Sequence, residues 1–529
     1  MRNFHAPGRS PLYAINAMVC TSMPQASLAA IEVLKAGGNA IDAAITAAAV
    51  LGVVEPQSTG IGGDLFCLYA PDGSSQVMAM NASGRAPAGL SLEALAAIGL
   101  SGYDESSPHA VTVPGGVAGW EALSKKFGRK GLDEVLAPAI RFAEEGYVVS
   151  PRVAHDWAAA STMAKLKKHD SKLFLKDGAA PAPGTTMRNP ELATTLRAIA
   201  KDGAKAFYTG PIAAEMVRDL RARGGFHTEA DFAEGLSLAE FVTPISRQFA
   251  GHEVWECPPN GSGIIALMLM GVMDGFAPPG DPLGVLRLHR QVEAARLVYR
   301  DRDAFLADPK YVDVPVEHLL SHQYLTALRG LIRDDHALKT LPPAGQAHKD
   351  TVYLSVVDKD GNCCSFISSI FQHFGSGIVA GNTGVVMHNR GFGFSMQPGH
   401  PNQVEPRKRP MHTIIPAMAF KDGKPQIVFG VMGGQYQPMG QSWVLANMLN
   451  YGMDPQAALD LPRLFPYAGQ VEVEHGIPQS AREALTAMGH KLVPATEPHG
   501  GGQVIQIDYA RGILVGGSDP RKDGYALGY

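Results

Sequence analysis

Apolar and polar side chains alternate between residues 351 and 358, a pattern that predicts a β-strand: Tyr353, Ser355 and Val357 fall on one face, Val352, Leu354 and Val356 on the other. The segment before it, 334–350, is polar and carries Pro342, Pro343 and Gly345, which predicts an exposed connector. Further upstream, apolar positions recur at helical spacing over 25–35, with Gly37-Gly38 as the stop signal. Asn39 then caps an alanine-rich helix reaching about Val54. Short strand signals follow at 65–69 and 77–81, then a helical middle over 115–220, a strand at 254–257 and a buried apolar helix at 264–273. After Thr351 the chain turns to β, with strands expected at 364–369, 384–388, 414–420 and 426–429, and Asp360-Gly361 reads as a type I′ hairpin turn.

Thr351 stands where the polar connector meets this first β run. A threonine hydroxyl is a poor nucleophile until a nearby base takes its proton, and the most economical base is the α-amine of the same residue. With a pKa of roughly 7.7–8.0, that amine is partly unprotonated at neutral pH. It is free only if the chain is cut before Thr351. Spacing alone gives a simpler account, a β-favouring residue that opens a strand.

Composition narrows the picture. A chain of 529 residues with 45% hydrophobic content can bury a large core, and its Gly/Pro punctuation fits one intertwined α/β unit. A net charge of −4 supplies no basic field for nucleic acid or anionic membranes. The opening residues lack a secretory pattern, and polar or glycine interruptions in 40–54 argue against a spanning helix. Cys20, Cys67, Cys257, Cys363 and Cys364 are odd in number and show no paired metal spacing, so a reducing cytoplasmic setting is expected. Cys363 and Cys364 should face opposite sides of a strand, which argues against a bond between them. Gly60-Ile-Gly-Gly63 lacks the spacing and the acidic partner of a dinucleotide fingerprint.

Several blocks in order, KAGGNAIDAAITAAAVLGVVEPQSTGIGGD, KDTVYLSVVDKDGN, FGSGIVAGNTGVVMHNR, RKRPMHTIIPAM, GVMGGQYQP and GGSDPRKDG, resemble the γ-glutamyltransferase family of self-cleaving N-terminal nucleophile hydrolases. The resemblance implies a four-layer αββα sandwich. It also implies a cut between Asp350 and Thr351, giving a large fragment (1–350) and a small one (351–529) that stay associated, with dimerisation of that pair left open. Thr351 becomes the expected nucleophile. Gly433 and Gly434, which follow a strand and let backbone approach a substrate, become the oxyanion donors. Ser369 takes the place of a hydroxyl that contacts the nucleophile, while His412 and Thr413 match two serines lining the family's pocket. No metal or organic cofactor is implied.

The chain also departs from the γ-glutamyl pattern. Ser83 falls where the family holds its donor's α-carboxylate with arginine, Gly393 where an acidic residue meets the α-ammonium, and Phe371 at an asparagine position. Losing such partners at a desolvated zwitterion would cost roughly several kcal/mol. Arg85, Arg390, His373 and His412 are instead candidates to surround a small anion, since an arginine fork grips carboxylate in two places. The pattern resembles the acylase- and amidohydrolase-like branches, so the expected substrate is a small amide carrying a carboxylate, oxamate foremost. A γ-glutamyl transferase or glutathione hydrolase, and a non-cleaving binding relative, are the competing readings.

Overall fold

The computed structural model describes residues 8–339 and 351–529. Its alternating segments build two seven-stranded sheets in which every neighbouring pair is antiparallel. One sheet runs Tyr525–Gly528, Met18–Thr21, Val352–Val357, Cys363–Ser369, Asp64–Ala70, Met78–Ala82, Glu240–Val242; for brevity it is called the nucleophile sheet. The facing sheet runs Leu12–Ala14, Ile513–Ser518, Gly501–Asp508, Lys424–Met432, Ala417–Lys421, His252–Glu256, Ile245–Phe249.

Period-two alternation sorts each strand's side chains between two cores. Tyr353, Val357, Ile367 and Phe66 of the nucleophile sheet meet Met418, Val428 and Ile505 of the facing sheet in a core between the sheets. Val352, Leu354, Val356 and Phe366 point outward and pack under the helices Pro24–Lys35, Ala40–Val54 and Leu132–Glu145. On the other side, Ala419, Phe429 and Val504 pack under Gly263–Met273, Val285–Phe305 and Gln437–Leu449. Helix, sheet, sheet, helix is the four-layer order expected. Cys363 lies in the inter-sheet core and Cys364 in the helix-covered one, so the adjacent thiols do point apart.

Local signals held where the residue chemistry was strong. Asn39 caps Ala40–Val54 through a reciprocal box with Asp42, and every residue of that helix is buried. The hairpin after Val352–Val357 forms, but not as a type I′ turn. Five residues, 358–362, make the loop, only Gly361 has positive φ (+82°), and the Asp358 carboxylate accepts the N–H groups of Asp360 and Asn362 at 3.0 Å each. No strand forms at 384–388; a single bridge pairs Val379 with Val386, because Gly381 and Gly384 turn the backbone at φ +57° and +69°. The run expected at 414–420 becomes a strand only at Ala417–Lys421. The helical middle is a succession of separate helices from Gly116–Phe127 to Pro211–Ala222. Among the described residues, no helix is long and apolar enough to cross a membrane.

Candidate active site

Strand register brings four polar side chains into one row at the end of the nucleophile sheet. Val352 pairs with Ser368, so one further step sets Thr351 beside Ser369; Ser369 pairs with Asp64; Leu65 pairs with Ala82, which sets Asp64 beside Ser83. All four share the parity of Tyr353, Ile367, Phe66 and Ala79, whose side chains fill the inter-sheet core. The row therefore looks between the sheets, and with strands about 4.8 Å apart its members are close neighbours. Gly63, just ahead of Asp64, makes the packing feasible: a Cβ there would lie 2.3 Å from the Ser369 carbonyl oxygen.

The Thr351 hydroxyl is buried and held from two sides. It donates to Ser369 Oγ at 3.3 Å and accepts from Gln437 Nε2 at 3.2 Å. Ser369 Oγ also accepts the Phe371 N–H at 2.8 Å, and Gln437 Oε1 accepts the Ile415 N–H at 3.1 Å, so both partners are fixed by backbone. Gln437 opens the helix Gln437–Leu449. Ahead of it, Gly433 and Gly434 leave the strand Lys424–Met432 at φ +116° and +54°, conformations that strain any other residue. A Cβ at Gly433 would also meet Gly500 Cα at 2.8 Å. The short turn Gly434–Tyr436 runs straight into that helix, and the leading N–H groups of a helix have no intrahelical acceptor. Donors of this kind are suited to a negative oxygen forming on a carbonyl under attack.

Beside this hydroxyl centre lies a charged one. Asp64 is fully buried, and its carboxylate accepts from His412 Nε2 at 2.9 Å, the Gly84 N–H at 2.8 Å and the Gly115 N–H at 3.2 Å. Burial alone would raise its pKa; the His388 ring 3.6 Å away, the His412 hydrogen bond and Arg390 outweigh that and hold the carboxyl down at about 2. His412 moves the other way: burial and Arg390 push it to about 3, so the ring is neutral, with Nε2–H on Asp64 and Nδ1 accepting the Ile414 N–H at 3.3 Å. Arg390 is fully buried as well. Its Nη1 donates to Thr413 Oγ1 at 3.0 Å and its guanidinium lies over the Phe371 ring, 4.0 Å from the centroid. Burial lowers Arg390 to about 9, against the opposing pull of Asp64, so it stays charged at neutral pH. Its Nε and Nη2 have no hydrogen-bond partner among the described residues. Those two nitrogens form the side-on edge of the guanidinium, the edge that takes both oxygens of a carboxylate.

A γ-glutamyltranspeptidase family model matches residues 26–529. The chain belongs to that family. Its similarity spans whole proteins: 36% identity to the glutathione hydrolase-like YwrD proenzyme of Bacillus subtilis, over 97% of this chain and 98% of the relative. The oxamate amidohydrolase proenzyme of Klebsiella pneumoniae is 35% identical over 95% of this chain and 97% of its own. Among solved structures, a cephalosporin acylase from Bacillus halodurans has a TM-score of 0.93 at 40% identity, covering 100% of this chain and 99% of that one. The protein is thus an amide-cleaving enzyme of the N-terminal nucleophile class.

Within this γ-glutamyltranspeptidase family member, the candidate residues separate into those the fold gathers and those it disperses. Thr351, Ser369, Phe371, Arg390, His412 and Thr413 are joined by the contacts above, and Gly433 and Gly434 lie four and three residues ahead of Gln437. Arg85 does not join them. Its guanidinium is spent on Glu240 at 3.1 Å, Asp308 at 3.6 Å and the Arg407 carbonyl at 3.2 Å. His373 belongs to a different cluster, 4.0 Å from Asp156, which also pairs with Arg152 at 2.6 Å and Lys522 at 3.4 Å. His412 has both ring nitrogens engaged, so it buttresses Asp64 instead of gripping an anion. Asp350 lies outside the described residues. Sequence reading missed Asp64 and Gln437. The first is detectable as an acid heading the otherwise apolar strand Asp64–Ala70, the second as the glutamine that begins a helix just after two glycines.

Proposed function

We propose that Thr351 is the nucleophile of a self-activating amidohydrolase, and that its substrate is a small amide bearing a carboxylate on the acyl side, oxamate giving oxalate and ammonia being the first candidate. The observation that carries the substrate class is the unpaired Nε/Nη2 edge of the buried, charged Arg390. Burying a guanidinium whose side-on edge meets no acceptor carries a desolvation cost, a cost offset when a carboxylate enters. Ser83 and Gly393 hold no charge for the zwitterion of a γ-glutamyl group, which favours this reading over glutathione.

The chemistry has two stages. In the precursor, Thr351 Oγ1 adds to the Asp350 carbonyl carbon, the C–N bond breaks in an N-to-O shift that frees the Thr351 α-amine, and water hydrolyses the resulting ester to release the fragment ending at Asp350 and restore the hydroxyl. In turnover, that amine takes the hydroxyl proton as Oγ1 attacks the substrate carbonyl, Gly433 and Gly434 N–H groups receive the oxyanion, and the departing nitrogen leaves protonated. Water then hydrolyses the acyl-threonine. Gln437 donates to Oγ1 at 3.2 Å, an interaction that strengthens whenever that oxygen gains negative charge.

A denaturing gel tests the first stage: two fragments are expected, the smaller beginning at Thr351 by N-terminal sequencing, and a single band for Thr351→Ala. A wild-type chain that stays whole on long incubation overturns self-activation. Ammonia release from oxamate, set beside p-nitroaniline release from a γ-glutamyl anilide, tests the second; strong anilide turnover with inert oxamate overturns the substrate class.

A further inference from the structure

The turn that follows the glycine pair is gripped from behind by the helix Val285–Phe305. Tyr299 of that helix donates its hydroxyl hydrogen to the Gln435 carbonyl, and Arg302, three residues further on, donates Nη1 to the side-chain oxygen Oε1 of the same glutamine. Arg302 is itself fixed by Asp303, with Nε 2.7 Å from Oδ1, and its guanidinium lies over the Tyr299 ring, 4.8 Å from the centroid. Tyr299 is buried, with its ring edge-on to Phe465 at 5.8 Å between centroids. Burial pushes the phenol above its ordinary pKa, so the O–H stays a donor at neutral pH. Neither stage of the chemistry uses this hydroxyl.

Its partner leads, link by link, to the reacting atoms. The Gln435 carbonyl shares a peptide group with the Tyr436 N–H, which donates to the Gly433 carbonyl at 3.0 Å. The Gly433 carbonyl in turn shares a peptide group with the Gly434 N–H, one of the two proposed oxyanion donors. A peptide whose carbonyl accepts a hydrogen bond becomes a better donor at its N–H, and successive links polarise one another. The chain bears on orientation too: Gly433 and Gly434 stand at φ +116° and +54° with no side chains to anchor them, so the tilt of these peptides depends on the bonds they make. We propose, resting on the amidohydrolase reading above, that Tyr299 is a positioning residue for the oxyanion site, its hydroxyl acting through the peptides that follow Gln435 and Gly433 to aim and strengthen the Gly434 N–H. Tyr299 makes no bond to the substrate and loses no proton. The large fragment thereby reaches, across the proposed cut, into the oxyanion site of the small one.

The test removes one oxygen. Tyr299→Phe keeps the ring against Phe465 and Arg302, and mature enzyme is counted from its small-fragment band, so kcat is read per cleaved molecule. With oxamate, or with the γ-glutamyl anilide if that is the amide turned over, kcat is expected to fall by about tenfold with KM unchanged, because the Gly434 N–H bonds the oxyanion more strongly than the ground-state carbonyl. A hydroxyl that serves only the fold would leave kcat per mature molecule where it was. An unchanged kcat, or a loss confined to KM, overturns the inference while leaving the amidohydrolase reading intact. A second readout needs neither turnover nor cleavage: in a Thr351→Ala chain carrying isotope-labelled glycine, the Gly434 amide proton signal is expected to move upfield when Tyr299→Phe is added. Should neither amide react, the amidohydrolase reading fails and this signal decides the hydrogen-bond chain by itself. An upfield move supports the chain; a signal in the same place in both proteins overturns it.

Discussion

Two arginines, Arg390 and Arg463, are equally buried and serve opposite ends. Arg463 gives Nη2 to Asp519 at 2.6 Å and Nη1 to the His499 carbonyl at 2.6 Å, and Asp519 is held at about 2 by Arg463 and Arg521 despite its burial. The charge there is settled within the fold, and both terminal nitrogens of Arg463 have acceptors, leaving only its Nε without one among the described residues. Among the described residues Arg390 has one hydrogen bond, to a threonine hydroxyl, and its nearby carboxylate, Asp64, is already committed to His412 and two backbone N–H groups. The difference separates a cation that holds structure together from one that the proposed function assigns to a ligand. Asp64 lowers the cost of keeping Arg390 charged without occupying its side-on edge.

The comparison can be broken at either arginine. Removing Arg463 takes one of two guanidinium partners from buried Asp519 and the donor from the His499 carbonyl, so Arg463→Leu should cost about 2–3 kcal/mol of stability in a urea titration. Arg390→Leu strands no carboxylate, since Asp64 keeps its three donors. Its stability should match or exceed wild type while kcat/KM for a carboxylated amide falls by about a hundredfold or more. An Arg390→Leu protein that melts early and retains its kinetics would reverse the two assignments. Arg390→Lys keeps the charge and loses the fork, so about a tenfold loss, mostly in KM, is expected from steady-state assays.

Gln437 touches the nucleophile and not the anion edge. Gln437→Leu should therefore lower kcat by about tenfold with KM for the carboxylated amide little changed, and slow self-cleavage on the same gel time course. The remaining effect concerns pH. His412 is held near 3 in the folded protein against roughly 6.5 unfolded, so as pH falls below about 6.5 the unfolded state takes the proton first and stability drops. That slope is about 1.4 kcal/mol per pH unit down to the folded value, and His412→Gln should show a shallower dependence between pH 6.5 and 5 in the same titration.

Some of this was legible in the chain. Thr351 was visible because a polar connector meets a strand of unbroken alternation, and Asn39, Gly361 and Gly433-Gly434 carry local signals that survive folding. The pairing of Asp64 with His412 was not, since 348 residues separate them and nothing in either neighbourhood names the other. Arg85 and His373 misled for the same reason: their charge was read correctly, but Glu240 and Asp156, which claim them, sit on distant segments. The hairpin at Asp360-Gly361 shows a subtler limit. The dipeptide marks a turn, yet a carboxylate two residues earlier decided its width by collecting two N–H groups.

The order of strands around Thr351 has a last consequence. Val352–Val357 and Cys363–Ser369 sit side by side, with Met18–Thr21 against one and Asp64–Ala70 against the other, so strands from after the proposed cut are wedged between strands from before it. Breaking the peptide bond ahead of Thr351 would turn one polymer into two without creating two bodies. Dilution, which parts ordinary subunits, has no grip on such a pair, because letting go requires each partner to surrender the sheet that makes it folded at all.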